Sequence, residues 1–376
     1  YIDPVDGKTY PLDVPLWRSP EGRPLMITPL PGMGRDDIDA SQRSIWRYRA
    51  ALPVDIASPI SLGEGMTPLV GRQLFGSEIL LKLEWFAPTC SFKDRGASVM
   101  LSYLRQAGVA LILEDSSGNG GAAIAAYGRA GGVGVRILAP ASTAPAKIAQ
   151  MRAFGAEVQL VPGPRQECQT EAIRQSESIF YASHNWQPFF LQGTKLLAYE
   201  LWEDLGFEAP DNVVIPVGAG SNVLGCDIGF SELLRAGLIR KMPRIFCVQP
   251  QNCAPIHASF VAGAEDLVEV ETSPTIAEGT AIARPVRMRE VLQAIRRSEG
   301  GTCAVSEDEI REGVRILAGE GLLAEPTSST VVAATRQLLA SGTISPGERT
   351  VLILTGTGIK AAGFVTELFA PDASAS

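Results

Sequence analysis

A lysine with the setting of a catalytic amine stands in the segment Ser91-Phe92-Lys93-Asp94-Arg95-Gly96, which follows a predicted strand and turn and opens a predicted helix. The positive end of a helix dipole disfavours the charged form of an amine and so favours a free amine that can form a Schiff base. A solvated surface lysine is the alternative. The interpretation of Lys93 therefore depends on the segments that accompany it.

Two hydroxyl side chains and a glycine follow the next predicted strand, in the segment Asp115-Ser116-Ser117-Gly118-Asn119-Gly120-Gly121. Hydroxyl groups and exposed backbone N–H groups at a helix start can bind a carboxylate or a phosphate. An ordinary capped strand-to-helix turn is the alternative. This segment is a candidate anion-binding turn.

A glycine turn of the same kind is Pro216-Val217-Gly218-Ala219-Gly220-Ser221-Asn222. Its glycines let the backbone approach an anion, and Ser221 and Asn222 add side-chain contacts, which favours a bound phosphate. A tight capped turn is the alternative. The dinucleotide pattern GxGxxG and the Walker pattern both fail here, so a nicotinamide oxidoreductase is not favoured.

A hydroxyl beside glycines closes the last predicted strand, in Leu354-Thr355-Gly356-Thr357-Gly358-Ile359-Lys360. A hydroxyl at a strand end can meet a neutral heterocyclic nitrogen, whereas a carboxylate would keep that nitrogen protonated. A tight glycine turn is again the alternative. Together the four segments supply a Schiff-base lysine, a carboxylate turn, a phosphate turn and a hydroxyl for a ring nitrogen.

The elements that must position these segments alternate between strands and helices. Apolar runs predict seven strands, at 79–84, 110–114, 135–139, 157–161, 212–217, 245–248 and 351–354. Apolar residues at helical spacing predict seven helices, at 96–106, 122–130, 144–154, 193–205, 223–236, 307–320 and 330–339. This alternation predicts an α/β fold of two parallel or mostly parallel sheets covered by helices, with ligands at the carboxyl ends of the strands. Residues 1–60 predict an irregular N-terminal arm.

Composition narrows the class of partner. The chain has 33 Lys and Arg against 41 Asp and Glu, a net charge of −8, so a nucleic-acid surface lacks its electrostatic basis. No apolar run is long enough to cross a membrane. Six scattered cysteines and two histidines, His184 and His257, predict reduced thiols in a cytoplasmic protein without a zinc site. We expect a small-molecule ligand.

The order and wording of these motifs resemble the fold type II, or tryptophan synthase β, family of pyridoxal-phosphate enzymes, and within it the threonine synthase-like branch. The resemblance runs from about Ser61 to Lys360. Besides the segments above, three stretches carry it: 63–69 (GEGMTPL), 193–200 (GTKLLAYE) and 325–329 (EPTSS).

The resemblance implies a role for each candidate residue. Lys93 would hold pyridoxal 5'-phosphate as an aldimine, and Asn119 would contact the phenolic oxygen of the cofactor. Ser116, Ser117 and Gly118, with Asn119, would bind the substrate carboxylate. The cofactor phosphate would be bound by Gly218, Ala219, Gly220, Ser221 and Asn222, and the pyridine nitrogen by Thr355.

The same resemblance implies a domain organisation. A large cofactor-binding domain would comprise residues 61–96 and 191–376, with a small domain of residues 97–190 that binds the substrate carboxylate. Residues 1–60 would be an arm similar to a zinc ribbon that lacks its cysteines, so we expect no metal there. A homodimer is implied by the family alone.

Two positions depart from the family pattern. The family usually has Thr or Ser at the position of Gly120, and an arginine that clamps the substrate phosphate at the position of Phe190. Replacing a charged donor by an apolar ring removes a contact of about 1.5–3 kcal/mol, which counts against phosphohomoserine as the substrate. Alternatively, another arginine, such as Arg284 or Arg287, supplies the charge.

The implied activity is elimination or replacement on an amino acid, threonine synthase-like, through an aminoacrylate or aminocrotonate-type intermediate. A hydroxyl at the pyridine nitrogen suits this chemistry better than transamination. The alternative is an ammonia-lyase acting on a hydroxy amino acid such as threonine or serine. A second alternative is a non-catalytic binding protein on the same fold, which would be expected to lose Lys93 or the phosphate turn.

Overall fold

The computed structural model describes residues 1–163 and 165–370. The strands are β1 Leu69–Leu74, β2 Ser77–Leu83, β3 Leu111–Glu114, β4 Gly134–Pro140, β5 Glu157–Val161, β6 Phe180–Tyr181, β7 Asn212–Pro216, β8 Arg244–Pro250, β9 Gly301–Val305 and β10 Thr350–Leu354. The α-helices are α1 Lys93–Gln106, α2 Asn119–Gly131, α3 Pro145–Ala153, α4 Arg165–Gln175, α5 Pro188–Thr194, α6 Leu196–Asp204, α7 Ser221–Arg235, α8 Pro255–Val261, α9 Met288–Arg297, α10 Glu307–Gly319, α11 Pro326–Ala340 and α12 Ala362–Leu368.

The strands form two sheets. One has six strands in the order β1-β2-β10-β7-β8-β9, and the other has four in the order β5-β4-β3-β6. Only the β1–β2 pair is antiparallel among the strand pairs of the described residues. The prediction of an α/β fold with mostly parallel sheets is therefore confirmed.

The chain divides into two compact units, each built around one sheet. The first comprises Tyr1–Met66, Ala87–Glu208 and Leu224–Lys241; the second comprises Thr67–Phe86, Ala209–Val223 and the chain from Met242 onward. The predicted small domain, 97–190, and the predicted arm, 1–60, both lie inside the first unit. The domain boundaries at 60, 96 and 190 stay predictions.

Apolar side chains on the sheets form the cores. In the second unit, Leu81, Val214, Phe246 and Leu352 from four neighbouring strands are buried together. In the first unit, Leu113, Leu138 and Tyr181 are buried with Cys168 and Ala172 of α4. Strands buried on both faces read as nearly continuous apolar runs, which is why the sequence pattern located most of them.

The N-terminal arm is irregular, as predicted, and holds short 3-10 helices at Arg35–Asp37 and Ile45–Ala51. Trp46 anchors it to α1, since its indole N–H lies 3.0 Å from both the Glu64 carboxylate and the Ser98 hydroxyl. In the described part of the chain, no helix is both long and apolar enough to cross a membrane.

Candidate active site

Lys93 is the first residue of α1, so the structure confirms that it lies at the positive end of a helix. The turn before it is held by Asp94, whose carboxylate accepts hydrogen bonds from the backbone N–H of Thr89 at 2.6 Å and from the Thr89 hydroxyl. The Lys93 side chain is half-buried, and its Nζ lies 4.7 Å from the ring centre of Phe92 and 5.6 Å from that of Phe190. Lys93 therefore lies against aromatic rings.

Two other lysines are fully buried, but both serve the fold. Lys82 Nζ donates to the carbonyl oxygen of Thr67 at 2.7 Å. Lys195 Nζ donates to Glu232 at 2.8 Å and to the carbonyl oxygen of Ala51 at 2.6 Å. Both amines therefore take part in hydrogen bonds inside the fold, whereas Lys93 is only half-buried.

Helix α5 fixes the surroundings of Lys93 by packing closely on α1. A Cβ at Gly193 would lie 2.1 Å from the carbonyl oxygen of Arg95, and a Cβ at Gly96 would lie 2.5 Å from the Phe190 ring. Glycine is therefore required at both positions. The predicted helix 193–205 is in fact two helices, α5 and α6, which meet at Lys195.

The candidate carboxylate turn, Ser116–Asn119, connects β3 to α2. Gly118 is the N-cap residue of α2, and because it has no side chain the first N–H groups of the helix receive no side-chain cap. The Ser116 hydroxyl accepts a weak hydrogen bond from the Gly118 N–H at 3.4 Å. An uncapped helix start flanked by hydroxyl groups suits a ligand carboxylate.

The structure brings Phe190 and His184 to this turn. The two rings meet edge to face with their centres 5.6 Å apart, and a Cβ at Gly120 would lie 2.8 Å from His184 Cε1. Sequence reasoning left the place of His184 open. Two features of the sequence could have located His184 at this turn: a glycine directly after Asn119, and a histidine shortly before Phe190.

Glu114, the last residue of β3, holds His184 in place. Its carboxylate oxygens lie 3.1 Å from His184 Nδ1 and from the His184 backbone N–H. Burial raises the pKa of Glu114 to about 7, although the His184 backbone N–H, Asp115 and Lys93 all act to lower it. Sequence reasoning missed Glu114, because its partner lies 70 residues further along the chain.

The candidate phosphate turn, Gly218–Asn222, follows β7 and opens α7. A Cβ at Gly220, whose φ is +91°, would lie 2.3 Å from the Val291 side chain, so only glycine fits. A Cβ at Gly218 would lie 3.0 Å from the carbonyl oxygen of Gly279. The turn therefore packs closely against Val291 and Gly279.

Asn222 is the unusual residue of this turn. It is 2% exposed, and neither its amide nitrogen nor its amide oxygen has a hydrogen-bond partner among the described residues. A buried polar group without a partner costs about 1–3 kcal/mol, so a ligand that satisfies it is expected.

Thr355 follows the carboxyl end of β10, which is the neighbour of β7 in the sheet. Its hydroxyl lies 3.0 Å from that of Ser328, and Ser328 also accepts a hydrogen bond from the Gly356 N–H at 2.9 Å. Thr327 accepts one from the Gly279 N–H at 3.1 Å. The start of α11 therefore links the Thr355 turn to the backbone beside the phosphate turn.

The two candidate substitutes for the missing phosphate clamp differ in their setting. Arg284 is 67% exposed in its side chain and forms an ion pair with Glu269 at 2.9 Å. Arg287 is 3% exposed, and burial lowers its pKa to about 10 while Glu290 acts to raise it. Arg287 lies one helical turn before Val291, the residue that contacts the Gly220 turn.

The chain belongs to the family of pyridoxal-phosphate dependent enzymes, whose family model matches residues 60–356. Within that family it falls in the threonine synthase-like branch. It is 35% identical to a threonine synthase of Methanocaldococcus jannaschii, over 84% of this chain and 80% of that protein. It is 32% identical to a threonine synthase of Methanosarcina acetivorans, with the same coverage.

Solved structures share the fold. The processed form of threonine deaminase isoform 2 from Solanum lycopersicum matches with a TM-score of 0.72 and 23% identity, over 98% of this chain and 99% of that one. A fungal L-serine ammonia-lyase from Rhizomucor miehei matches with a TM-score of 0.71 and 23% identity, over 81% and 97%. The predictions of the fold type II family and of its cofactor, pyridoxal 5'-phosphate, are confirmed.

Proposed function

We propose that this enzyme catalyses a threonine synthase-type reaction, in which an amino acid loses a side-chain substituent and takes up water at its β carbon. The observation that carries the proposal is Lys93, half-buried at the start of α1 beside the Phe190 ring. The names of the relatives with 32–35% identity support it. The ammonia-lyase and non-catalytic alternatives are not favoured.

Each group of candidate residues would have its own role in the reaction. Lys93 would bind the cofactor covalently and, when released, move a proton to or from the substrate α carbon. When bound, pyridoxal 5'-phosphate supplies an electron sink for the negative charge at that carbon. Ser116, Ser117, Gly118 and Asn119 would hold the substrate carboxylate, and Asn119 would also contact the cofactor ring oxygen.

The second unit fits the phosphate and the ring of the cofactor. The turn Gly218–Asn222 lies at a helix start, where backbone N–H groups can bind an anion, and the Asn222 amide could donate to a phosphate oxygen. Thr355, held by Ser328, offers a neutral hydroxyl to the pyridine nitrogen. A neutral partner there fits elimination and replacement.

The substrate that fits best carries an anionic leaving group, such as the phosphate of O-phosphohomoserine. Phe190 cannot bind it, but Arg287 is a buried cation on the element that contacts the phosphate turn. A phosphate beside Arg287 would form a charge-assisted contact with its guanidinium.

The proposed function is tested by incubating the purified holoenzyme with O-phospho-L-homoserine and measuring phosphate and L-threonine. Release of both in equal amounts supports the proposal. Release of ammonia and a keto acid from L-threonine or L-serine, with no turnover of the phosphorylated substrate, would overturn it in favour of an ammonia-lyase.

The role of Arg287 is tested with Arg287→Met, and Arg284→Met is the matched control. We expect Arg287→Met to raise KM for O-phosphohomoserine by roughly 10- to 100-fold, the loss of one charge-assisted contact, with cofactor affinity unchanged. Arg284→Met should leave KM unchanged, because that side chain is exposed. A loss of cofactor affinity without a change in KM would instead assign Arg287 to the cofactor phosphate.

We also propose that the protein is a cytoplasmic homodimer. Dimers are expected from the family resemblance, and the cytoplasm from six cysteines that are all free thiols. Light scattering of the purified chain gives the mass directly, and a monomer at micromolar concentration would contradict the proposal.

A further inference from the structure

His184 is held at the carboxyl end of β3 by Glu114. The imidazole Nδ1 lies 3.1 Å from one carboxylate oxygen of Glu114, and the His184 backbone N–H donates to the other at 3.1 Å. The His184 residue is 4% exposed and Glu114 is fully buried. Two contacts to one carboxylate fix both the backbone and the ring of His184.

The imidazole lies directly over the candidate carboxylate turn. A Cβ at Gly120 would stand 2.9 Å from His184 Nδ1 and 2.9 Å from the Ser116 hydroxyl. The ring therefore fills the space that a side chain at position 120 would take.

The His184 imidazole also lies near Phe190, one of the residues beside Lys93. The Phe190 ring centre lies 5.6 Å from the His184 ring centre and 5.6 Å from Lys93 Nζ. Besides burial, the positive charge of Lys93 lowers the pKa of the His184 imidazole. His184 thus lies beside the carboxylate turn and packs against the same Phe190 ring as Lys93.

His184 is in the chemical form of a base. Burial, then the charges of Lys93 and Arg165, hold its pKa well below the ordinary value, while Asp115 acts to raise it. In a neutral imidazole whose Nδ1–H donates to Glu114, the lone pair is on Nε2. Among the described residues, the structure shows a hydrogen-bond partner for Nδ1 of His184 and none for Nε2.

We propose that His184 is the general base that takes a proton from the water molecule added to the substrate β carbon, and that Glu114 is its positioning residue. The water oxygen forms the new carbon–oxygen bond at the β carbon, and the water proton passes to Nε2. The π electrons of the unsaturated substrate move to the α carbon, which then takes a proton from Lys93. The proton on Nε2 later leaves for solvent. The proposal rests on the proposed function and identifies the residue that directs water to the substrate.

The test uses His184→Gln, Glu114→Gln and, as a matched control, His257→Gln. His257 is the other histidine, half-buried and hydrogen-bonded to Thr302 at 3.0 Å. For His184→Gln we expect L-threonine formed per phosphate released to fall by roughly 100-fold, the range of a lost general base. Glu114→Gln should lower the ratio of L-threonine to phosphate by less than His184→Gln does. It should also shift the pH at which this ratio declines. His257→Gln should behave as wild type.

A second readout does not depend on turnover. With only two histidines, ¹³Cε1 labelling gives two signals, and His257→Gln assigns them. We expect the His184 signal to titrate below the ordinary histidine range and to move when the holoenzyme binds L-threonine. Glu114→Gln should change the pH at which the His184 signal titrates and leave the His257 signal unchanged.

The outcomes separate this proposal from the proposed function. If wild type releases no phosphate from O-phosphohomoserine, the proposed function fails, whatever His184 does. If wild type makes threonine and His184→Gln keeps the same product ratio, or if the His184 signal ignores L-threonine, His184 is only structural. The proposal would also be overturned if His184→Gln lowers the unfolding temperature while Glu114→Gln leaves the ratio of L-threonine to phosphate unchanged.

Discussion

Glu114 shows how a single buried carboxyl can couple protonation to stability. Its pKa is raised to about 7 by burial, and an acid with a raised pKa binds its proton more tightly in the folded than in the unfolded state. Its stabilising effect is therefore greatest at low pH and declines as pH rises through the interval from its unfolded pKa, about 4.3, to about 7. The neighbouring His184 has the opposite dependence, because its lowered pKa costs stability as pH falls below about 6.5.

We predict that Glu114→Gln removes the first dependence. Relative to this variant, wild type should lose stability as pH rises from about 4.5 to 7, because only wild type must ionise a buried carboxyl over that range. Urea unfolding at several pH values measures the difference. A constant difference between the two proteins across this range would show that Glu114 has an ordinary pKa.

At this scale the sequence was most informative where function depends on consecutive residues. Lys93, Ser116–Asn119, Gly218–Asn222 and Thr355 were all located from residue types next to predicted elements. Ser328 was missed as the partner of Thr355, because the two are 27 residues apart and only the fold brings them together. The roles of the located residues stay predictions.

At the scale of elements, the start of α1 is fixed by a buried ion pair with α6. Arg95 donates two hydrogen bonds to Glu200, at 2.8 and 2.9 Å, and both side chains are at most 1% exposed. The pair lies two residues from Lys93 along α1. It holds the helix that presents the proposed catalytic amine.

We predict that Glu200→Gln lowers the free energy of unfolding by about 3–5 kcal/mol, because it removes the negative charge that faces the buried Arg95 guanidinium. Chemical denaturation measures this. The control is Glu171→Gln, which breaks the exposed ion pair with Arg174 and should cause no measurable change. Equal effects of the two substitutions would mean that the Arg95–Glu200 pair does not stabilise the fold.

Elements with strong apolar patterns were predicted within a few residues of their bounds, and weak ones were not found. The edge strand β9 is only partly buried, and α4 buries just Cys168 and Ala172, so neither has a clear pattern. Helix α9 was missed although Met288, Val291, Leu292 and Ile295 are buried at helical spacing. In that case the signal was present in the sequence.

At the scale of the whole molecule, the N-terminal arm contains a cluster of charged side chains. The carboxylates of Asp3, Asp6 and Glu21 lie within 4.8 Å of one another. Arg23 pairs with Asp3 at 2.8 Å and also with Asp6, while Lys8 pairs with Glu21 at 2.9 Å. These cations supply the positive charge that a metal ion would otherwise provide.

We predict that the arm needs no metal and depends on Arg23. Prolonged treatment with a chelator should leave the thermal unfolding midpoint unchanged, whereas Arg23→Gln should lower it. Burial raises the pKa of Asp3, but the Val5 N–H and Arg23 outweigh it and hold the pKa below its ordinary value, so the stabilisation is complete at neutral pH and is lost below about pH 4. The control is Arg43→Gln, at an exposed position of the arm. A chelator-induced loss of stability would contradict the prediction.

Peptide mapping tests whether Lys93 binds the cofactor covalently. The holoenzyme is reduced with borohydride, which makes the link between lysine and cofactor permanent, then digested and analysed by mass spectrometry. We predict that the cofactor mass is found on the peptide containing Lys93 and is lost in Lys93→Ala. Its appearance on Lys82 or Lys195, or on no lysine of a protein saturated with pyridoxal phosphate, would contradict the account.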